Sequence, residues 1–453
     1  MPKITSLKTY FDELEETNGD DECRAWLSRV FDAKVLLATF VAARRGGGEA
    51  TEYVGFLKGS FNFSFRFKFS DGGPDAIIRF PKPGHTATAL MDEKVANEVQ
   101  VMNYLSRKTT IPIPRILNWG RTAESPQQLG PFIIMDYIEG TLLSNVLKKP
   151  TKSDGEPMVL DPSIDDSMLT KIYRQIADYL LQISQLTFPR IGSISQDGDN
   201  WSVTSRPLTY NMNELATVAG YPCDVFPTST FSHASEYLKS VAHEHIVHLR
   251  TQRNLADDPE IAQARFIARH RFAQLISKYC IYDAGPFIIF CDDLRPSNML
   301  LDPDTLQITA VLDFEFTNAM PAQFTYDPPW WLLLSGPEMW LERFSIQEFR
   351  DQYEPRMEQF LQALEVVEGT GKQLAEPPLS ARMRDSWRSG RFWYNYAARK
   401  SFDIDAVYWA ALHDEGTGVE LLDDEVCSEL KPFIEEKMEQ LRVYKEDCTA
   451  RFS

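Results

Sequence analysis

Phe290-Cys291-Asp292-Asp293-Leu294-Arg295-Pro296-Ser297-Asn298, followed by Leu312-Asp313-Phe314-Glu315, is the stretch on which the reading turns. It sets an Asp (293), an Asn five positions on (298) and a second Asp (313) within one short segment. Phosphoryl transfer of the kinase type needs that set. One carboxylate accepts the proton of the attacking hydroxyl, and the Asn and second Asp hold the Mg²⁺ that binds the phosphates. The flanks agree. Pro286 to Phe290 is an apolar run that reads as a buried strand entering the loop. Met299-Leu300-Leu301 leaves it as a second short strand, and Asp302-Pro303-Asp304 is turn chemistry. From Thr305 to Leu312 the pattern predicts a third strand, with Leu306, Ile308 and Ala310 alternating with Gln307 and Thr309. Such a hairpin can bring Asn298 and Asp313 onto one metal. D-x-x-x-x-N alone is common and fits ordinary polar loops; the strands and the second Asp separate the two readings.

Working upstream, Gly55 to Phe69 joins a small-residue loop to an alternating strand. Phe61, Phe63, Phe65, Phe67 and Phe69 fall on one face; Asn62, Ser64, Arg66 and Lys68 fall on the other. Gly59, Ser60 and Asn62 are candidates for contact with phosphates, because glycine lets a backbone approach phosphate oxygens closely. Asp71-Gly72-Gly73 makes a turn, and Ala76 to Phe80 returns as a strand carrying Arg79. Val95, Val99, Met102 and Leu105 then recur at helical spacing, with Glu98 beside the stripe and placed to pair with Arg79. Phe132 to Met135 reads as a buried strand and Asp136 to Gly140 as a connector, whose backbone at Asp136 and Ile138 is the candidate contact for an adenine ring.

These residues together resemble the aminoglycoside phosphotransferase family, in the wider group that includes choline kinases, and look closest to its fungal branch. The match runs from about Gly55 to at least Trp331. It includes D-G-G-P-D-A-I-I-R-F-P-K-P-G-H (71–85), G-P-F-I-I-M-D-Y-I-E-G (130–140) and P-P-W-W-L-L-L (328–334). The resemblance implies an α+β, two-lobed protein kinase-like fold with a small β-rich lobe and a large, mainly helical one. It also implies transfer of phosphate from ATP, with Mg²⁺, to a hydroxyl of a small molecule. Asp293 takes the place of the family's catalytic Asp, and Asn298 and Asp313 take those of its metal ligands. Two residues depart from the family pattern. Cys291 stands where most relatives have His, and Arg79 where well-studied members have Lys; arginine binds phosphate with a different geometry. They motivate a second reading, a catalytically weak or inactive nucleotide-binding scaffold. A third, a protein kinase, lacks the glycine of D-F-G after Asp313.

Composition narrows the rest. The net charge of −18 argues against a nucleic-acid partner and suits an amine-bearing acceptor as well as plain solubility. No apolar run is long enough to span a bilayer, and the first residues lead into the acidic Asp12-Glu13-Leu14-Glu15-Glu16 rather than a secretory signal. Six scattered cysteines without a C-x-x-C read as reduced thiols, and the expectation is a cytoplasmic protein.

The expected organisation is an N-terminal helical extension over 1–50 and a nucleotide-binding small lobe over 51–138. The large lobe follows over 139–453, with its catalytic loop at 290–298, metal segment at 311–316 and a helical C-terminal part. Lys148 to Pro162 is expected as an exposed loop, and Leu169, Ile172, Ile176, Leu180 and Ile183 define a large-lobe helix. Asp327, Trp330, Trp331, Trp393 and Tyr394 are candidates for an aromatic-and-carboxylate wall around an acceptor ammonium group. The alternative for Trp330 and Trp331 is core packing. His243-Glu244-His245-Ile246-Val247-His248 is not H-E-x-x-H, and its histidines are expected on the surface.

Overall fold

The computed structural model describes residue 7 and residues 10–150, 156–370, 377–414 and 422–453. Part of the expected 148–162 loop, at 151–155, lies outside the described residues, as do stretches of the N-terminal and C-terminal segments.

The phenylalanine alternation builds the small lobe. Strands β1 (Ala50–Lys58), β2 (Asn62–Phe69), β3 (Ala76–Pro81), β4 (Ile116–Gly120) and β5 (Phe132–Asp136) form an antiparallel sheet in the order β1-β2-β3-β5-β4. Phe63, Phe65, Phe67 and Phe69 of β2 are all buried on one face. That face packs against helices α1 (Glu13–Asp32) and α2 (Lys34–Arg45) through Trp26, Val30, Leu37 and Val41. Each buried ring is worth about 1.5–3 kcal/mol relative to exposure, so the helices stabilise the sheet they cover. The N-terminal helices are therefore part of the small-lobe core. Asp12 caps α1 by accepting from the backbone N–H groups of Leu14 and Glu15. Helix α1 also reaches the other lobe, where Asp12 N donates to Val218 O at 2.8 Å and Glu13 N to the Tyr444 hydroxyl at 2.8 Å. At its far end the Trp26 indole donates to Leu129 O.

Helix α3 (Met91–Lys108) crosses between the lobes. Its stripe of Val95, Val99, Met102 and Leu105 is buried in the main core of the molecule. The large lobe is mostly helical and carries short strands β6 (Thr141–Leu142), β7 (Thr187–Phe188), β8 (Ser193–Asp197), β9 (Asn200–Ser205), β10 (Phe287–Phe290), β11 (Met299–Asp302), β12 (Gln307–Val311) and β13 (Asn318–Pro321). Strand β10 lies between β13 and β7, and β11 lies between β12 and β6, so the 291–298 loop and the 312–317 segment each run from one small sheet to the other. The third expected strand begins at Gln307 rather than Thr305, because Leu306 turns the chain with φ 58°. Helix α4 (Leu143–Leu147) precedes the 148–162 segment, and the expected helix over 169–183 is α5 (Asp166–Ser184). Helices α6 (Tyr210–Val218), α7 (Ala234–Thr251) and α8 (Pro259–Gln274) follow.

His243 is exposed as expected, but the other two histidines of α7 correct the sequence reading. His245 and His248 are fully buried rather than on the surface. His245 Nδ1 meets the Ser401 hydroxyl at 2.8 Å, and His248 Nδ1 lies 3.0 Å from Arg269 Nη1. Arg269 and Arg265 share Asp405, all with side chains at zero exposure. A polar network, invisible to helical periodicity, draws these rings inward.

Candidate active site

Between the lobes lies a cleft of about 630 Å³. Lys58, Gly59, Ser60 and Asn62 line its roof, and Asp293, Ser297, Asn298 and Asp313 its floor. Ile77, Met135, Leu142 and Leu312 give it an apolar flank. The local sequence dictates this arrangement. The turn from β1 to β2 is closed by Gly59 N donating to Asn62 O at 2.9 Å, which leaves the small residues at the tip facing the cavity. Alternation in β2 sends the phenylalanines to the core and Asn62 and Ser64 to the cleft.

The 291–298 loop is ordered by its own side chains. Asn298 Nδ2 donates to Asp293 O at 3.0 Å and to Asp293 Oδ2 at 2.7 Å. Arg295 Nε lies 2.5 Å from Asp293 Oδ1. Burial raises the Asp293 carboxyl above the usual range, while Arg295 and Asn298 pull it back. Its side chain keeps 27% exposure, so it still faces the cavity. Asp292 turns the other way. It pairs with Arg399, and its carbonyl accepts from the Trp330 indole at 3.1 Å. Burial pushes the Cys291 thiol up, which makes it an inert packing group.

Arg79 bridges two carboxylates. It pairs with Glu98 of α3, whose side chain is wholly buried, and its Nη1 reaches Asp313 Oδ1 at 3.1 Å. Asp313 holds a left-handed backbone with φ 65°, and Phe316 one with φ 59°. Non-glycine residues keep such conformations only where their surroundings over-determine them. Burial, with Glu315 second, raises the Asp313 carboxyl above its usual range against the opposing charge of Arg79. Burial pushes Glu315 the same way, but Lys94 and Arg79 outweigh it and hold that carboxyl below its usual range.

Of the residues singled out from sequence, Gly59, Ser60, Asn62, Arg79, Glu98, Asp293, Asn298 and Asp313 line one cavity. Asp136 ends β5 and Ile138 follows it in the connector, and neither is among the residues lining that cavity. Asp136 N donates to Arg115 O at 3.1 Å, so that N–H is not open to a base. The expected acceptor wall is corrected in part: Asp327, Trp330 and Trp331 line a second, smaller cavity together with Asp292 and Arg399, whereas Trp393 and Tyr394 lie in the core. Trp393 and Tyr394 are 1% and 0% exposed, and Asp327 and Trp331 are also buried. Tyr394 stacks on Phe272 with centroids 4.5 Å apart, and Trp393 packs on Phe349. Asp327 accepts from Asn395 Nδ2 at 2.9 Å, deep in the lobe. Aromatic packing in the large helical core outcompetes exposure for these rings. Trp330 alone of the five is half-buried, with Arg295 over its ring at 5.9 Å.

Sequence reasoning missed Lys94 and Glu315. Lys94 is 1% exposed and pairs with Glu315, and Asn62 Nδ2 donates to Glu315 Oε2 at 2.9 Å. The available signal was Lys94, Asn97 and Glu98 at i, i+3 and i+4, a polar stripe beside the apolar one.

A small lobe with a five-stranded sheet and one crossing helix, over a helical lobe bearing the Asp293 loop, is the two-lobed kinase-like architecture. Residues 56–364, well over half the chain, match the APH phosphotransferase enzyme family, and the chain belongs to that family. It is 29% identical over 122 residues to altered inheritance of mitochondria protein 9 of Scheffersomyces stipitis, which covers 27% of this chain and only 18% of that protein. A thermostable mutant of aminoglycoside phosphotransferase APH(4)-Ia, crystallised with AMP-PNP and hygromycin B, is 13% identical with a TM-score of 0.45, covering 88% of this chain and 98% of that one. An ethanolamine kinase of Plasmodium vivax is 14% identical with a TM-score of 0.39, covering 87% of this chain and 81% of that one.

Proposed function

We propose that this protein transfers the γ-phosphoryl group of ATP to a hydroxyl of a small molecule, with Asp293 as the base. The observation that carries the reading is the convergence of Asp293, Asn298 and Asp313 on one cleft that Arg79 and the Gly59–Ser60 loop also line. The donor set fits a hard divalent cation. Asn298 spends its amide nitrogen on Asp293, which leaves its amide oxygen, with the Asp313 carboxylate of the same cleft, to hold Mg²⁺. A cation held there would neutralise charge on the phosphate oxygens.

The chain's own groups do the rest. Ile77, Met135, Leu142 and Leu312 enclose the adenine ring. Arg79, oriented by Glu98, binds phosphate oxygens together with the backbone at Gly59 and Ser60. Asp293 orients the acceptor hydroxyl and takes its proton as the new O–P bond forms and the bond to ADP breaks. Asn298 fixes the Asp293 carboxylate in place. Catalysis in this scheme is positioning and charge stabilisation.

The test is melting temperature with Mg²⁺, ATP and both, followed by an acceptor panel including amino alcohols. The expected result is a shift that needs both ligands and is lost in Asp313→Ala, with turnover lost in Asp293→Ala while that shift survives. Full turnover in Asp293→Ala sinks the assignment. A Mg-ATP shift with no turnover on any acceptor would instead favour a nucleotide-binding scaffold.

A further inference from the structure

Three residues on one face of α3 address three alternating positions of the segment after β12. Glu98 acts through Arg79 on Asp313. Lys94 pairs with Glu315. Asn97 Nδ2 donates to Thr317 O at 2.8 Å. Positions i, i+3 and i+4 of the helix thus reach 315, 317 and, through Arg79, 313 on the facing chain. Within that facing chain, Asp313 and Phe316 hold left-handed backbones, a conformation these contacts brace.

Glu315 is the unusual member. It lines the same cleft as Asp313 and Asn298 and is a carboxylate two residues from Asp313. Left to itself, a buried carboxylate beside a cation site becomes a ligand of that cation, because an unpaired charge at low dielectric takes whatever counter-charge is near. Here both of its neighbours come from the small lobe. Lys94 neutralises it, and Asn62, at the start of β2 and also 3.2 Å from Lys94 Nζ, donates to Oε2. Lys94 has no exposed side-chain surface and does not line the cleft, so it cannot touch a phosphate directly.

We propose that Lys94 is a positioning residue that holds Glu315 away from the metal site, so that the site is built from Asn298 and Asp313 alone. Through Asn62 the same ion pair ties the nucleotide loop to the metal segment. The inference rests on the metal-site reading of Asn298 and Asp313. It assigns Glu315, a carboxylate at the edge of the site, to the protein rather than to the ion, and it makes Lys94 the cause.

The experiment measures binding of Mn²⁺ alone, by electron paramagnetic resonance and calorimetry, to the full chain without nucleotide. Wild type and Asp313→Asn establish the site. Lys94→Met frees Glu315 as an added ligand, and Mn²⁺ should bind about tenfold more tightly or better, since affinity follows ligand charge. Lys94→Arg should restore wild-type binding, and Lys94→Met combined with Glu315→Gln should abolish the gain. Circular dichroism verifies folding of each variant. Should Lys94→Met fail to fold, Glu315→Gln decides alone. Unchanged Mn²⁺ affinity supports the proposal, and a loss makes Glu315 a ligand in the wild type and overturns it. Equal or weaker binding in folded Lys94→Met overturns it too. If wild type binds Mn²⁺ and Asp313→Asn does not, a negative Lys94 result removes this inference only; if wild type binds none even with a non-hydrolysable ATP analogue present, the metal-site reading falls with it.

Discussion

Glu98→Gln is the most discriminating substitution in the cleft. It keeps the shape of the side chain and removes one charge from a buried pair whose other member, Arg79, is also bonded to Asp313. Breaking a buried pair by removing one partner costs about 3–5 kcal/mol of stability. The Arg79 side chain retains 12% exposure, so the lower end applies, about 3 kcal/mol. The second consequence is functional. Without Glu98, the guanidinium has Asp313 as its remaining partner, and a metal–nucleotide complex must pull it off. One charge-assisted hydrogen bond is worth about 1.5–3 kcal/mol, which is about a tenfold to hundredfold loss of Mg-ATP affinity. The assay is thermal melting across a Mg-ATP titration. The variant should melt several degrees lower without ligand, and its half-maximal shift should move to higher nucleotide by at least about tenfold. Glu98→Asp, which keeps the charge on a shorter arm, should fall between. An unchanged titration midpoint in Glu98→Gln would refute the idea that Glu98 poises Arg79 for phosphate.

Asp293→Asn should lower kcat by about a hundredfold or more while leaving the Mg-ATP melting shift intact, checked by steady-state kinetics beside the melts. Tyr394→Phe should leave the acceptor KM unchanged because its ring lies in the core, whereas Trp330→Ala should raise it; equal effects would return Tyr394 to the acceptor wall. Glu244 in α7 is buried, and burial pushes its carboxyl to about 8 against the opposing Asn211 hydrogen bond and Arg206 charge. The folded state then binds more protons than the unfolded chain between about pH 4.5 and 8, so this residue makes stability fall as pH rises through that window. Glu244→Gln removes the titration, and the difference in melting temperature from wild type should grow in the variant's favour from pH 6 to pH 9. Asp405→Asn strips the counter-charge shared by Arg265 and Arg269, and denaturant unfolding should register a loss of about 3–5 kcal/mol.

Local chemistry and period determined a great deal here. Alternation placed the phenylalanines of β2 in a core and Asn62 on the cleft side, since side chains in a strand point to opposite faces. The spacing from Asp293 to Asn298 set a tight loop in which the amide reaches back to the carboxylate, a contact five residues long that needs no knowledge of the rest of the chain. The apolar stripe of α3 and the pairing of Glu98 with Arg79 were legible for the same reason.

What sequence left open depends on contacts between distant segments. Trp393 and Tyr394 look like a binding surface as letters, and they are core because Phe349 and Phe272 arrive from elsewhere to cover them. His245 and His248 look like surface residues until Arg269 and Ser401 converge on them. Lys94 reads as a solvated helix cation, yet folding brings it to Glu315 from 221 positions away. Period fixes which face of an element a side chain occupies. Only the packing of one element on another decides whether that face meets water, a hydrocarbon core or an opposite charge, because burial and Coulomb energy depend on what lies across the gap.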